Sequence, residues 1–421
     1  MKIRNLRWWI CALLFLASVI SYIDRQTISI AAPAITKEFS LSNEQLAGIL
    51  SAFLFAYTFG QLVSGRFFDW IGSRRGFAIS IAVWSAANAL TAWVTKPWGF
   101  QYLRFLLGIG ESGNFPGGVK VLTEWFPAKE RAFAGGVFNS GASTGAIVAG
   151  PLVGTVTHYW GWRAAFIVTG SLGFIWLIGW LLLYRRPQEH ALLTEEERAV
   201  VLTHEQAIES PLHLRWLDLL RFRQVWALPL ARFLEEPIIW MSVFWLPKYF
   251  VDVRGLSLLH TGWLLTLPFV ALDIGYIAGG WISSDLVRRG WSVQSAKLAV
   301  MAAAAVLMLA AIPAGFAGSV AGFTVFISCA TMGHGAWFSN MLTIPSDITP
   351  PDLVASVYGI SAMGGGLGGI FVTEITGIVA DRFHTFTPVL VVAGFLPLLA
   401  TGLLVRLKVW KPLPSVLTAC C

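Results

Sequence analysis

The sequence predicts an all-α membrane protein with twelve transmembrane helices in two pseudo-symmetric six-helix bundles. Three observations carry that expectation. Of the 421 residues, 56% are apolar and only 13% charged, with 20 Trp and 29 Phe, about half the charged fraction of a soluble domain. Apolar runs long enough to cross about 30 Å of hydrocarbon as helix recur along the whole chain. They fall into two sets of six on either side of the one long polar stretch.

The first set lies near residues 8–30, 46–71, 77–95, 99–126, 132–157 and 162–184. The opening run, WWICALLFLASVI, has no small-residue cleavage site ahead of its charges, so it reads as a retained span and not a signal peptide. The second set lies near 225–250, 261–285, 295–317, 319–345, 353–381 and 386–407. Between them, RRPQEHALLTEEERAVVLTHEQAIESPLHLRWLDLLRFR (185–223) is rich in Glu, Arg and His and reads as a linker. Within it TEEERAVVLTHEQA, a Thr followed by acids, predicts an N-capped amphipathic helix. The expected organisation is an N-terminal bundle over 1–184, a cytoplasmic linker over 185–224 and a C-terminal bundle over 225–421.

The formal charge of +7 could suggest nucleic acid, but its distribution argues for a bilayer. Of the thirty Lys and Arg, twenty fall on segments that are cytoplasmic if both termini are inside, and six on the opposite side. The other four, Arg25, Arg104, Lys120 and Arg232, fall within spans. This is the positive-inside bias of a multi-pass plasma (bacterial inner) membrane protein with cytoplasmic termini. Cys11, Cys329, Cys420 and Cys421 have neither disulfide nor metal-ligand spacing.

The halves also resemble each other. GRFFDWIGSRRG (65–76), after span two, has a partner in GWISSDLVRRG (280–290), after span eight, and FPAKERAFAGG (126–136) a weaker one in TPPDLVASVYG (349–359). Adding 223 carries Gly141 to Gly364, Gly145 to Gly368 and Gly154 to Gly377. Two related six-span halves imply a binding site near the bilayer midplane and a rocking motion for transport.

The stretch SYIDRQTISI sets Asp24 and Arg25 side by side in an apolar span, each costing roughly 2.5–3.5 kcal/mol at a bilayer centre. Neighbours on a helix point about 100° apart, so each needs its own partner. Interhelical salt bridges would satisfy them, but intramembrane ionisable groups more often mark ion or substrate routes. Span four carries Arg104 and Glu111 on one face, about 10 Å apart along the axis and so not bonded to each other. A carboxylate in apolar surroundings near an Arg can load and release a proton, which makes Asp24 and Glu111 the expected proton carriers. Arg25 offers a planar fork matched to a carboxylate. Lys120 is expected to snorkel to the membrane surface. Arg232 with Glu235 or Glu236 reads as an internal ion pair.

Gly65, Asp69, Gly72, Arg74 and Arg75, spaced G-x-x-x-D-x-x-G-x-R-R, resemble the signature of the major facilitator superfamily. GAIVAGPLVG in span five resembles that family's glycine-proline motif. SYIDRQTISIAAP, RFLLGIGESGNFPGG, EWFPAKERA, FWLPKYFVDVRG and SNMLTIPSDITPPDLVASVYGISAMGGGLGG are similar to the anion:cation symporters, and most like their hexuronate and aldonate branch. The resemblance implies import of a small carboxylate-bearing sugar together with protons, with coupling at Asp24 and Glu111. Arg25, Tyr57 and Arg104 would meet the substrate from the first half. Asn139, and His334, Trp337 and Asn340 of GHGAWFSNM, would read its hydroxyls and ring. Asp69 with Arg74 and Arg75, beside Gly65, would form a cytoplasmic gate. GGGLGG (364–369) lacks the Lys of a nucleotide loop, and no Ser-His-Asp order, metal cluster or cofactor fingerprint is visible, so neither an enzyme nor a cofactor is expected. The expected assembly is a monomer. The alternatives are sodium-coupled or exchange transport of another organic anion, and a membrane receptor without turnover.

Overall fold

A computed structural model describes residues 2–41, 43–202, 216–250, 254, 258–383 and 385–410. These residues are helical almost throughout. They contain no strand, only an isolated bridge between Ile3 and Leu193.

The first spans are α1 (Leu6–Phe39), α2 (Asn43–Ile71) and α3 (Ser73–Leu90), and the fourth is split into α4 (Pro97–Glu111) and α5 (Asn114–Trp125). Spans five and six run as one element, α6 (Ala128–Leu183), broken only at Gly161. There φ is 83° and ψ 164°, a conformation open to a residue without a β-carbon and to few others. The chain doubles back at this point: Gly141 packs against Phe15 of α1, and Trp176 donates to the Leu13 carbonyl on the same helix. Just beyond the break Arg163 reaches Glu38 in two bonds of 2.9 and 2.7 Å, joined by Trp162 Nε1 at 2.7 Å. The hydrogen bonds from Arg163 and Trp162 hold the Glu38 carboxyl below its usual range.

The linker contains α7 (Glu195–Leu202). Thr194 Oγ1 accepts from the Glu197 N–H, the cap expected there, while 203–215 lie outside the described residues. Glu197 in turn accepts the backbone N–H groups of Leu6 and Arg7, both at 3.0 Å, satisfying donors that the start of α1 leaves open.

The second set begins with α8 (Arg223–Glu235) and α9 (Pro237–Lys248), which share span seven. It continues with α10 (Leu258–Arg288), α11 (Val293–Met308), α12 (Ala311–Phe316), α13 (Val320–Met341), α14 (Ile344–Ile348), α15 (Val354–Phe383) and α16 (Thr387–Arg406). Among the described residues, eight helices are long and apolar enough to cross a membrane. One of the eight, α6, holds spans five and six, and spans four, seven and ten are not among them; spans four and seven are each broken beside a buried acid, after Glu111 and after Glu235. Pro237 explains the second break, since it lacks an N–H and crowds the preceding turn.

The chain forms two compact units. One holds α1–α5, α6 from Phe138 onward, α7 and the segment Pro350–Gly359. The other holds Ala128–Val137 of α6, α8–α14, α15 from Ile360 and α16.

Within the units the repeat appears as matched glycine contacts. Gly141 and Gly145 lie against the Phe15 and Val19 carbonyls of α1, so that a β-carbon at either would collide with backbone. Their counterparts Gly364 and Gly368 meet the Pro229 and Phe233 carbonyls of α8 in the same way. Gly65 abuts the Ala355 carbonyl and Gly280 the Ala132 carbonyl, while Gly136 abuts Tyr276 and Gly359 abuts Gln61. Helices in lipid gain nothing from hiding apolar surface from each other, so close packing through small residues supplies the attraction. Gly154 is different: its β-carbon position is open.

Two matched substitutions follow from this packing. Gly145→Val and Gly368→Val should each lower the thermal unfolding midpoint in detergent, with overpacking costing about 1–3 kcal/mol. Gly154→Ala should leave the midpoint unchanged or raise it, because Ala is the better helix former.

Candidate functional site

The first unit gathers four ionisable side chains of α1 and α4 at span depth. Asp24 and Glu111 are fully buried and Arg104 is 2% exposed. Arg25 places Nε and Nη2 at 3.2 and 2.9 Å from one oxygen of Glu111, Oε2. Its guanidinium carbon also lies 4.4, 4.9 and 4.5 Å from the ring centres of Tyr22, Phe53 and Tyr57, an aromatic cage that favours a desolvated cation. Arg104 stays apart from Glu111, as their spacing requires. It donates to the Asp24 and Arg25 carbonyls at 3.4 and 3.1 Å and faces the Phe53 ring at 5.0 Å.

Asp24 takes its main bond from a residue the sequence reading passed over. Asn88 of α3 donates to Asp24 Oδ1 at 2.6 Å and to Thr169 Oγ1 at 2.7 Å. The signal was a lone amide in the apolar run SAANAL. The two carboxylates then share a pattern: one oxygen held, and the other, Asp24 Oδ2 or Glu111 Oε1, buried without a partner. A carboxylate so placed has an open position for a proton.

Tyr57 stands in the cage around Arg25. Asn139 is buried on α6. In the second unit Trp337 is wholly buried and donates to Thr401 at 2.9 Å. The Asn340 amide donates to the Gly279 and Ala336 carbonyls. His334 Nδ1 lies 2.7 Å from Glu235 Oε1, and Arg232 pairs with Glu236 and not with Glu235.

At the end of α2, Asp69 meets neither Arg74 nor Arg75. Lys120 of α5 lies 2.8 Å from its Oδ1, while the backbone N–H groups of Ala355 and Ser356, at the start of α15, donate to it at 3.4 and 2.7 Å. Lys120 also donates to the Pro351 carbonyl. It is 2% exposed, so it does not snorkel, because a buried carboxylate is nearer than water. Arg74 instead donates to the Leu181 and Tyr184 carbonyls that end α6. Gly65 lets α15 approach, and Gly72, at φ 83°, turns the chain from α2 into α3. The second unit builds a comparable cluster from other residues: Asp347 bonds Lys297 at 2.5 Å and has Arg131 at 3.6 Å.

Apolar helical spans in two repeat-related sets, with matched charges buried at span depth, define a multi-pass membrane transporter and not an enzyme. The chain belongs to the Major Facilitator Superfamily, whose family model matches residues 14–373. It is 33% identical to the hexuronate transporter of Escherichia coli (strain K12), over 99% of this chain and 96% of that one. It is also 33% identical to the galacturonate transporter of Dickeya chrysanthemi, over 67% of this chain and 82% of the relative. Among solved structures, the proton:xylose symporter XylE bound to 6-bromo-6-deoxy-D-glucose superposes with a TM-score of 0.75 at 15% identity, covering 96% of each chain.

The Asp69–Lys120 pair makes a defined prediction. Lys120→Met alone strands a buried carboxylate and should lower the thermal midpoint in detergent by the equivalent of about 3–5 kcal/mol. Combined with Asp69→Asn it should cost clearly less than the two single substitutions added together. Strict additivity would show the pair to be uncoupled.

Proposed function

We propose that this protein imports a sugar-acid anion, a hexuronate or aldonate, together with protons by alternating access. In this reading residues 1–184 and 225–421 are the two moving halves, 185–224 link them, and both termini are cytoplasmic. The observation that carries it is the bond from Arg25 to Glu111. A substrate carboxylate and Glu111 compete for the same guanidinium fork. When Glu111 takes a proton it lets go of Arg25, and the fork becomes free to hold the substrate in two parallel bonds. When the proton leaves, Glu111 reclaims Arg25 and the anion is expelled.

The charges support the same exchange. Asp24 and Glu111 balance Arg25 and Arg104, so the empty cluster is neutral with both acids ionised. A monoanion alone would leave a buried negative charge, which is costly, and one proton removes it. Asp24, with one oxygen held by Asn88 and the other open, is the second proton carrier. Tyr57 flanks the bound carboxylate, and Asp69 with Lys120 latches the cytoplasmic end of the first unit. The substrate class is supported by relatives named for hexuronate, galacturonate and D-galactonate transport.

Proteoliposomes test the coupling. An inside-alkaline pH gradient should drive accumulation of glucuronate or galacturonate, and a sodium gradient at fixed pH should not; sodium-driven uptake that ignores pH would exclude proton coupling. Arg25→Ala should abolish substrate binding by calorimetry, because charge-assisted bonds of roughly 1.5–3 kcal/mol each are lost. Arg25→Lys should also bind poorly, for want of the fork. Glu111→Gln mimics the protonated acid. It should keep binding, with affinity less dependent on pH, while uphill uptake disappears and exchange continues. Accumulation against a gradient by Glu111→Gln would make Glu111 a structural acid.

A further inference from the structure

The second unit holds a cluster of ionisable side chains at the break between α8 and α9 that the coupling at Asp24 and Glu111 does not use. Arg232 pairs with Glu236, and Trp240 Nε1 donates to the other Glu236 oxygen at 3.0 Å. Gly365 of α15 makes room for that carboxylate, since a β-carbon there would collide with it. The Arg232 guanidinium also lies over the Phe338 ring at 4.9 Å. Arg232 and Glu236 together carry no net charge.

Glu235, one residue earlier, turns to a different helix. Its Oε1 lies 2.7 Å from His334 Nδ1 on α13, while its Oε2 is buried without a partner. Glu235 is fully buried and His334 2% exposed. Phe338 stacks on the imidazole at 5.6 Å and Tyr276 of α10 meets it edge-on at 6.2 Å. The charged and titratable groups facing the pair are Arg232 and Glu236 beside it on the chain and the Tyr276 phenol.

The charge count differs from that of the first unit. With a neutral imidazole, Arg232, Glu236 and Glu235 sum to one negative charge in a site closed to water. A single proton on the pair removes it. The pattern at Glu235, one oxygen bonded and one open, is that of Asp24 and Glu111. Imidazole is the side chain that ordinarily changes charge near neutral pH, and broken spans are where membrane transporters commonly build ion sites.

We propose that Glu235 and His334 form a further proton-binding site, in the second unit, which gains and loses one proton in each transport cycle. The proposal rests on the reading of the protein as a proton-coupled transporter. Each transported proton multiplies the equilibrium accumulation ratio about tenfold per unit of pH gradient, since a factor of ten is about 1.4 kcal/mol. Proteoliposomes with Glu235→Gln, under a pH gradient of about one unit, should therefore accumulate galacturonate about tenfold less than wild type, with counterflow retained. His334→Gln should show the same loss. An accumulation ratio equal to wild type in a variant that still performs counterflow would overturn the proposal. A second measurement needs no transport. In the wild-type protein labelled with 15N-histidine, the resonance that vanishes in His334→Gln should change protonation state as the pH is stepped across the window in which a pH gradient drives uptake. A His334 resonance fixed in one state across that window would overturn the site. If wild type moves no sugar acid yet His334 titrates, the substrate assignment fails and the proton site stands.

Discussion

A charge taken into the membrane has to be matched, and the site in the first unit is organised by the matching of Arg25. Its guanidinium is too costly to bury alone, so the surroundings supply Glu111 on one side and three aromatic faces on the others. Arg104 then cannot also be served by Glu111 and spends its donors on carbonyls of α1. Asp24 is left to Asn88 and, through that amide, to Thr169. Each acid keeps one oxygen without a partner, Oδ2 of Asp24 and Oε1 of Glu111. A bundle that balances charge so closely resists any change of charge, and in the proposed symport this is what ties the anion to a proton.

The same economy holds in the scaffold. Spans in lipid cannot be pressed together by water, so backbone contact through glycine substitutes for it. The repeat-related glycines show that this solution was used twice, with α6 on α1 in one unit and α15 on α8 in the other. The two units differ where chemistry differs. Asp69 is answered by Lys120 and by backbone N–H groups, whereas Asp285 at the related turn pairs with its neighbour Arg289, just past the end of α10.

Much of this was legible in the sequence. Charges inside apolar runs announced Asp24, Arg25, Arg104 and Glu111, because the cost of burying them leaves few explanations. Thr194 before a run of acids announced a capped helix, since capping is decided by neighbours along the chain. Partners between spans were not legible. Helical periodicity says which residues share a face and nothing about which helix that face meets, so Lys120 was expected at the surface and Asp69 beside Arg74. Asn88 went unremarked for the same reason. A single amide acquires meaning only when α3 brings it to α1. The break in span four was hidden too, because composition averages over the two or three residues at which a helix stops.

The junction at Gly161 has a consequence for where the chain tolerates an insertion. Spans five and six are joined through one residue, with Glu38 and Arg163 bonded immediately beyond it. Among the described residues no loop separates the two helices, which pass directly from one to the other at this residue. A reporter, epitope or protease site inserted at residue 161 would therefore pry apart the turn and the Glu38–Arg163 pair beside it, while the same insertion beyond the end of α7 would fall in a polar stretch of the linker.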